Sequence, residues 1–437
     1  MSRAPLTVPA IVRFWIPLAG AWLMMAVEGP LIAAIIARLP DARENLAAYG
    51  VAFAFGLILE SPVVMLLSAA LALVQDRASY LTLRRFGYGL SAGMTVLMGI
   101  VVLPPVFDGL SGLLALPAEV RELTHGALVW LLPWPAAIGY RRFKQGLLIR
   151  HGVTGRVAYG TMLRLVAMAG TAAGLAAVTS LHGAHIGAIA LSTGVVAEAV
   201  AAGRMARRAV RALDDGPGPP RRRLTMRQTA TFYVPLALTS ILAMGIQPLV
   251  TVFMGQSRMA VESLAVQPVI TGLTFVFRCL GLSFQEAAIA LLGPGMEQYR
   301  PLRTFAIVLA VGTSAGLGLI AYSPVAVVWF QGVSGLSAAL TAFAVPPLQI
   351  MLPLPALSVW LSFQRSILVT IRRPTAITLA SSAELATIVA ILWLGIHTFD
   401  AVGVMSAAMA LVIGRLLTNA WLVTPCWRAT AQASSPW

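Results

Sequence analysis

The sequence predicts an all-α, polytopic membrane protein of about twelve transmembrane helices, and three observations support that prediction. The chain is 58% hydrophobic and only 11% charged, whereas a soluble domain carries about 25% charged residues. Its mean hydropathy is +0.84, and long apolar runs recur throughout, so lipid is the solvent that such a surface fits. The alternating apolar and polar residues that mark the strands of an outer-membrane barrel are absent from the sequence.

Each apolar run is long enough to cross a bilayer, which takes about 20 residues. The first run has this length, so we interpret it as a first helix and not as a cleavable signal peptide. The predicted spans, in order, are about 14–37, 47–74, 87–104, 124–148, 157–180, 185–205, 231–255, 263–292, 303–326, 338–366, 375–396 and 401–426.

The arginines predict the orientation of these spans. The net charge of +15 is concentrated in the loops after spans 2, 4, 6 and 10, whereas the loops after spans 5, 9 and 11 contain no Lys or Arg. Cytoplasmic loops carry the positive excess in membrane proteins, so we expect both termini in the cytoplasm, at a bacterial inner membrane. Because the charge lies in loops on one side, we expect no nucleic-acid partner.

One long polar segment, 206–230, divides the chain into halves. We predict an N-lobe at 1–205, a basic cytoplasmic linker at 206–230 and a C-lobe at 231–437. Six spans in each half would bring both halves into the membrane from the same side, as a parallel repeat.

Matched prolines support this repeat. The segment Phe14–Ala19 (FWIPLA) returns as Phe232–Ala237 (FYVPLA), and Leu132–Ala136 (LPWPA) returns as Leu352–Ala356 (LPLPA). Apolar segments match by chance, but prolines at a fixed offset do not. We therefore predict two pseudo-symmetric six-helix bundles.

The openings of the two halves resemble the first and seventh helices of the MOP flippase superfamily, which includes the MATE exporters. Within it, the progressive ankylosis (ANKH) family is the closest resemblance. The residues that carry that resemblance are Ala47–Phe53, Ser61-Pro62, Gln75-Asp76-Arg77 and Leu368–Arg373.

This resemblance implies a non-enzymatic transporter that works by alternating access around a central cavity. ANKH proteins are associated with anion export and MATE proteins with H⁺- or Na⁺-coupled export of cationic drugs. We expect a secondary active exporter or antiporter of an anionic or amphipathic small molecule. We expect a monomer in contact with membrane lipids, and no cofactor except H⁺ or Na⁺ as a coupling ion.

Three alternatives stay open at this point. The chain could flip a lipid or a lipid-linked glycan, as other members of the superfamily do. A lipid-modifying membrane enzyme is disfavoured because the sequence has no catalytic cluster and no metal-ligand spacing. The major facilitator superfamily, also built from six plus six spans, is disfavoured by the proline pattern.

Ionisable residues within spans are candidate site residues, because each costs at least about 2.5–3.5 kcal/mol to insert. Glu28 precedes Gly29-Pro30, which loosens the first helix, so it is a candidate coupling-ion or substrate carboxylate or else an anchor at a kink. Gln247 and Glu286 are candidates for the same site.

Two pairs of opposite charge occupy matched positions of the repeat. Glu60 and Arg278 are 218 residues apart, and Arg164 and Glu384 are 220 apart. Each pair could form a gate between the lobes, and Arg278 could bind an anionic substrate; alternatively, each charge is neutralised within its own lobe. Further candidate inter-lobe charges are Glu198 and Arg415.

Four basic residues near the inner ends of spans 4 and 10 are expected to extend to the lipid headgroups. Lining the inner mouth of a cavity is the alternative. These residues are Arg141, Arg142, Lys144 and Arg365.

Overall fold

The computed structural model describes residues 6–114, 116–213, 224–293 and 295–434. Within these residues the chain is helical, and the only β-type pairing is an isolated bridge between Arg258 and Val402. The backbone N–H and C=O groups of a helix are hydrogen-bonded to each other, so they need no partners from the lipid, which offers none. The predicted all-α fold is confirmed.

The helices of the first half of the described chain follow the predicted apolar runs. They are α1 (Val8–Ile36), α2 (Ala42–Val64), α3 (Leu66–Leu73), α4 (Arg77–Val102), α5 (Pro104–Leu113), α6 (Ala118–Trp130), α7 (Trp134–Arg150), α8 (Thr154–Val178), α9 (Gly183–Met205) and α10 (Arg207–Arg211).

The second half repeats this order with two short π-helical segments, Val328–Val333 and Leu394–Thr398. Its α-helices are α11 (Met226–Gly255), α12 (Ala260–Leu291), α13 (Tyr299–Ala321), α14 (Val325–Val327), α15 (Ala338–Ile350), α16 (Leu354–Thr370), α17 (Thr375–Trp393) and α18 (Gly403–Ser434).

Eleven segments of the described chain are long and apolar enough to cross a membrane, so the protein is a polytopic membrane protein. The predicted span at 124–148 is not among them. Its residues form the end of α6 and most of α7, which separate at Pro133, and α7 carries Arg141, Arg142 and Lys144. These charges lower the hydropathy of the segment.

The chain forms two compact units. The N unit is Met24–Ile241, and the C unit is Met1–Leu23 together with Leu242–Trp437. The predicted lobes, with their linker at 206–230, stay a prediction, and residues 214–223 of that linker lie outside the described residues. The C unit has an apolar core in which Val250, Ile270, Leu317, Phe330, Leu348, Ile388 and Leu411 are buried.

The repeat is visible in the backbone as well as in the prolines. Asp41 before α2 and Met259 before α12 both take the left-handed conformation, with φ of 50° and 56°. Gly152 after α7 and Arg372 after α16 also have positive φ, at 75° and 59°. Since left-handed backbone is costly for residues other than glycine, its recurrence at matched positions indicates that the two halves share one architecture.

A matched hydrogen bond fixes the start of α9 in the N unit and of α18 in the C unit. In the N unit, the side-chain oxygen of Asn45 accepts from the backbone N–H of Ala184, at 2.9 Å. In the C unit, the hydroxyl of Ser263 accepts from the N–H of Val404, at 3.1 Å. Both side chains are buried, and each satisfies an amide that the first turn of a helix leaves without a backbone partner.

Asp76, one of the residues behind the ANKH resemblance, has a local structural role. Its carboxylate accepts from the N–H of Ser79 at 2.8 Å, and the Ser79 hydroxyl accepts from the N–H of Asp76 at 3.0 Å. This reciprocal capping box begins α4.

We predict that Asn45→Ala and Ser263→Ala each lower the free energy of unfolding by about 1 kcal/mol, the usual cost of losing a helix cap. Thermal unfolding in detergent, followed by tryptophan fluorescence, measures the loss. Thr304→Ala is the control, since that exposed hydroxyl bonds only within its own helix. Unchanged melting of both cap variants would contradict the assignment.

Candidate functional site: two buried charge clusters

The N unit is organised around the carboxylate of Glu198 on α9, which is 0% exposed. Its Oε2 accepts from Nη1 of Arg141 at 2.6 Å and lies 3.7 Å from Nη1 of Arg164. Its Oε1 accepts from Nε2 of Gln145 at 2.9 Å and from the Thr161 hydroxyl at 3.0 Å. One carboxylate thereby joins α7, α8 and α9.

Arg164 extends this cluster to α1. Its Nη2 lies 2.5 Å from Oε2 of Glu28, so one guanidinium bridges Glu28 and Glu198. Glu28 is 6% exposed, and its Oε1 has no hydrogen-bond partner among the described residues. The structure brings together three of the predicted site residues that the sequence could only name singly.

Glu60 on α2 joins the cluster through an aromatic side chain. Its Oε2 accepts from Nε1 of Trp134 at 2.5 Å, and the Trp134 ring lies 5.8 Å from the Arg164 guanidinium. Among the described residues, Glu60 has this hydrogen bond and no ion pair. It is therefore the carboxyl group of the cluster that can exchange a proton without breaking an ion pair.

The C unit contains a second cluster, in which positive charge predominates. Nε of Arg415 donates to Glu384 at 2.7 Å. The Ser358 hydroxyl accepts from Nε of Arg278 at 3.3 Å and lies 3.5 Å from Nη1 of Arg415. Two guanidiniums therefore share one neutral oxygen.

Arg365 adds a third guanidinium to this cluster. Its Nη2 donates to the Ser381 hydroxyl at 3.2 Å, and its buried Nε has no partner among the described residues. Among the described residues, the one ion pair recorded for these three arginines is that of Arg415 with Glu384.

The remaining predicted residues lie apart from these hydrogen bonds. Oε1 of Glu286 accepts from Nε1 of Trp22 at 3.2 Å, and Glu286 is buried. Gln247 is exposed on α11, and only its backbone carbonyl takes part in a recorded hydrogen bond.

The pairs matched by the repeat find partners within single units. Arg164 binds Glu28 and Glu198 in the N unit, whereas Glu384 binds Arg415 in the C unit. A gate between lobes stays a prediction.

The expectation that Arg141 extends to the headgroups is wrong. Arg141 is 3% exposed and ion-paired, because Glu198 supplies a counter-charge inside the unit. Arg142 and Lys144 are also buried, at 8% and 7% exposure.

Sequence reasoning missed the neutral residues that complete both clusters, chiefly Trp134 and Ser358. Trp134 carries a signal in hindsight, because it replaces Leu354 in the matched LPWPA and LPLPA segments. Ser358 carries none, since serine is common in helices that pack closely in membranes. In the described chain, no group of three or more His, Cys, Asp or Glu residues is placed to hold a metal.

No protein-family model matches the sequence, and no curated protein matches it. Its fold, in contrast, matches solved structures over nearly the whole chain. An outward-facing multidrug resistance MATE transporter of the MOP superfamily aligns with a TM-score of 0.77, covering 98% of this chain and 97% of that one at 14% identity. The chain has the fold of the MATE transporters.

Two further structures share this MATE fold. A MOP superfamily transporter from Pyrococcus furiosus, described as having a binding pocket of reverse polarity that suggests a different function, gives a TM-score of 0.77 at 14% identity and covers 98% and 97% of the two chains. A variant of a MATE transporter from Vibrio cholerae gives 0.74 at 17%, covering 98% and 96%. The finer resemblance to the ANKH family stays a prediction.

We predict that Glu198→Gln destabilises the protein by about 3–5 kcal/mol, the cost of removing one partner from a buried ion pair. The change leaves Arg141 without a counter-charge and weakens the bridge through Arg164. Melting in detergent measures the loss against Glu119→Gln, an exposed acid of the same unit. Equal melting of the two variants would show that Glu198 does not stabilise the N unit.

Proposed function

We propose that this protein is a secondary active exporter that moves an anionic or amphipathic small molecule by alternating access. The observation that carries the proposal is the excess of guanidinium groups among the described residues of the C unit. Arg415 pairs with Glu384, whereas Arg278 and Arg365 donate to the hydroxyls of Ser358 and Ser381.

Such an arrangement is costly without a further anion. Charges at membrane depth face a partner or a water-filled cavity, and two guanidiniums at one serine oxygen repel each other. A carboxylate or phosphate accepts paired hydrogen bonds from guanidinium groups, and it would supply the missing negative charge. The Pyrococcus transporter is a precedent, within the same fold, for a binding pocket of reverse polarity.

We propose a proton as the coupling ion. The two carboxylates Glu28 and Glu198 would otherwise offer a place for Na⁺, but the guanidinium of Arg164 already lies between them. Glu60 and the unpartnered oxygen of Glu28 leave the N unit with groups that can gain and lose a proton.

The rest of the proposal follows the charge distribution and the resemblance. The arginine-rich loops favour a bacterial inner membrane with both termini in the cytoplasm. The ANKH resemblance favours anion export by a monomer acting as an antiporter, and we propose no enzymatic activity. A flippase for a lipid or a lipid-linked glycan is the alternative, because an anionic headgroup would bind the same arginines.

We predict that Arg278→Gln and Arg365→Gln each lower the transport of small anions into proteoliposomes by at least about tenfold, as expected for loss of a hydrogen-bonded ionic contact of about 1.5–3 kcal/mol. The assay uses carboxylates, phosphates and cationic drugs as candidate cargo. Arg303→Gln, an exposed arginine of the same unit, should leave the rate unchanged.

The same vesicles separate the two functions. Movement of fluorescent lipids between leaflets, without anion uptake, would favour the flippase. Transport of cations alone, insensitive to both substitutions, would overturn the anionic cargo.

We predict that Glu60→Gln abolishes the acceleration of transport by a pH gradient, because glutamine cannot exchange a proton at this position. The variant leaves the ion pairs of Arg164 with Glu28 and Glu198 in place, so it should fold. Uptake with and without a pH gradient measures the effect, and Glu119→Gln is the control. Acceleration by a Na⁺ gradient alone would contradict proton coupling.

A further inference from the structure

A groove on the N unit combines an apolar wall with a basic end. The apolar part, of about 700 Å³, runs over α7 between α4 and α9. Its wall includes Tyr88, Val196 and Val200, which are 39%, 39% and 45% exposed. Large apolar side chains so exposed at membrane depth face lipid chains.

The basic part, of about 410 Å³, adjoins the apolar part through shared lining at Tyr140, Gly203 and Arg207. Its lining, as far as the described residues go, includes no acidic side chain. The basic residues that line it are Arg77, Lys144, Arg207 and Arg211.

Lys144, the only lysine in the chain, is the most unusual of these. It is 7% exposed, yet its one recorded hydrogen bond is to the Tyr80 hydroxyl, at 3.2 Å. An ammonium has three N–H donors, so two have no recorded acceptor within the described residues. Its nitrogen lies 5.4 Å from the ring centres of Tyr80 and Tyr140, which is a partial substitute for an anion.

Positive charge is concentrated around the same aromatic ring. Arg77 and Arg84 lie 5.3 and 5.7 Å from the centre of the Tyr80 ring, on which Lys144 also packs. Three cations at one ring repel each other, and the burial of Lys144 reduces the screening of that repulsion by water. An anion at the mouth of the basic part would relieve it.

We propose that this groove is a binding site for an anionic glycerophospholipid, with the phosphate at Lys144, Arg207 and Arg211 and an acyl chain along the apolar wall. Basic pockets between transmembrane helices bind multiply charged lipid headgroups. The continuous apolar extension, which a free anion would not need, favours a lipid. The site is independent of the cargo in the C unit.

The experiment is native mass spectrometry of the full chain in detergent, titrated with cardiolipin, phosphatidylglycerol or phosphatidylcholine. Cardiolipin should bind best and phosphatidylcholine at least about tenfold more weakly, since each Lys or Arg near a headgroup contributes several-fold in affinity. The double variant Arg207→Gln/Arg211→Gln should lose most of this preference. Arg85→Gln/Arg208→Gln is the control, removing equal charge from exposed residues that do not line the groove.

A second variant tests the apolar part without touching charge. Ala92→Phe fills the groove from α4, whereas Val96→Phe places the same ring on an exposed position of that helix outside the lining. Cardiolipin binding should fall at least about threefold for Ala92→Phe only. If phosphatidylcholine binds as tightly as cardiolipin, or if soluble pyrophosphate displaces cardiolipin and Ala92→Phe has no effect, the lipid site is overturned.

Discussion

The N unit depends on one constraint, which is that each buried charge needs partners inside the protein. Glu198 is the clearest example. A carboxylate removed from water must recover its hydrogen bonds from the protein, and Glu198 does so from Arg141, Gln145 and Thr161. Those contacts hold α7, α8 and α9 together, and the bridge through Arg164 adds α1. Since Glu198 is 0% exposed and depends on these side chains for its hydrogen bonds, helix rotation and charge placement determine each other.

The two units use the same helical framework for opposite electrostatics. Among the described residues, the recorded side-chain contacts around Glu198 include three carboxylates and two arginines, whereas those around Glu384 include one carboxylate and three arginines. The reversal is clearest at the matched positions Glu60 and Arg278, whose neighbours are the neutral donor Trp134 and the neutral acceptor Ser358. A framework of backbone hydrogen bonds tolerates this reversal, because the partners of each charge are nearby side chains and not the helix backbone.

The sequence predicts the helices well because lipid demands long apolar runs, and it predicts the repeat because prolines break helices at matched places. It predicts the charged residues of the clusters but not their partners. Arg164 and Glu28 are 136 residues apart, and their contact depends on how α1 and α8 are rotated. The sequence repeat pairs Arg164 with Glu384, because they occupy equivalent positions in the two halves. Equivalent positions in a repeat need not be in contact, and each of the two residues binds a different partner. Trp134 was missed because an indole in an apolar run normally indicates packing or a membrane interface.

The left-handed residues before α2 and α12 also bear on how such a protein evolves. Asp41 and Met259 have different chemistry but nearly the same φ, and the same holds for Gly152 and Arg372. If the halves arose by gene duplication, the backbone conformation at these positions was kept while the residues that first favoured it were replaced. Packing that over-determines the backbone lets side chains diverge without moving the helices. In such a chain the backbone torsion angles retain a likeness between the two halves that the residues at those positions no longer show.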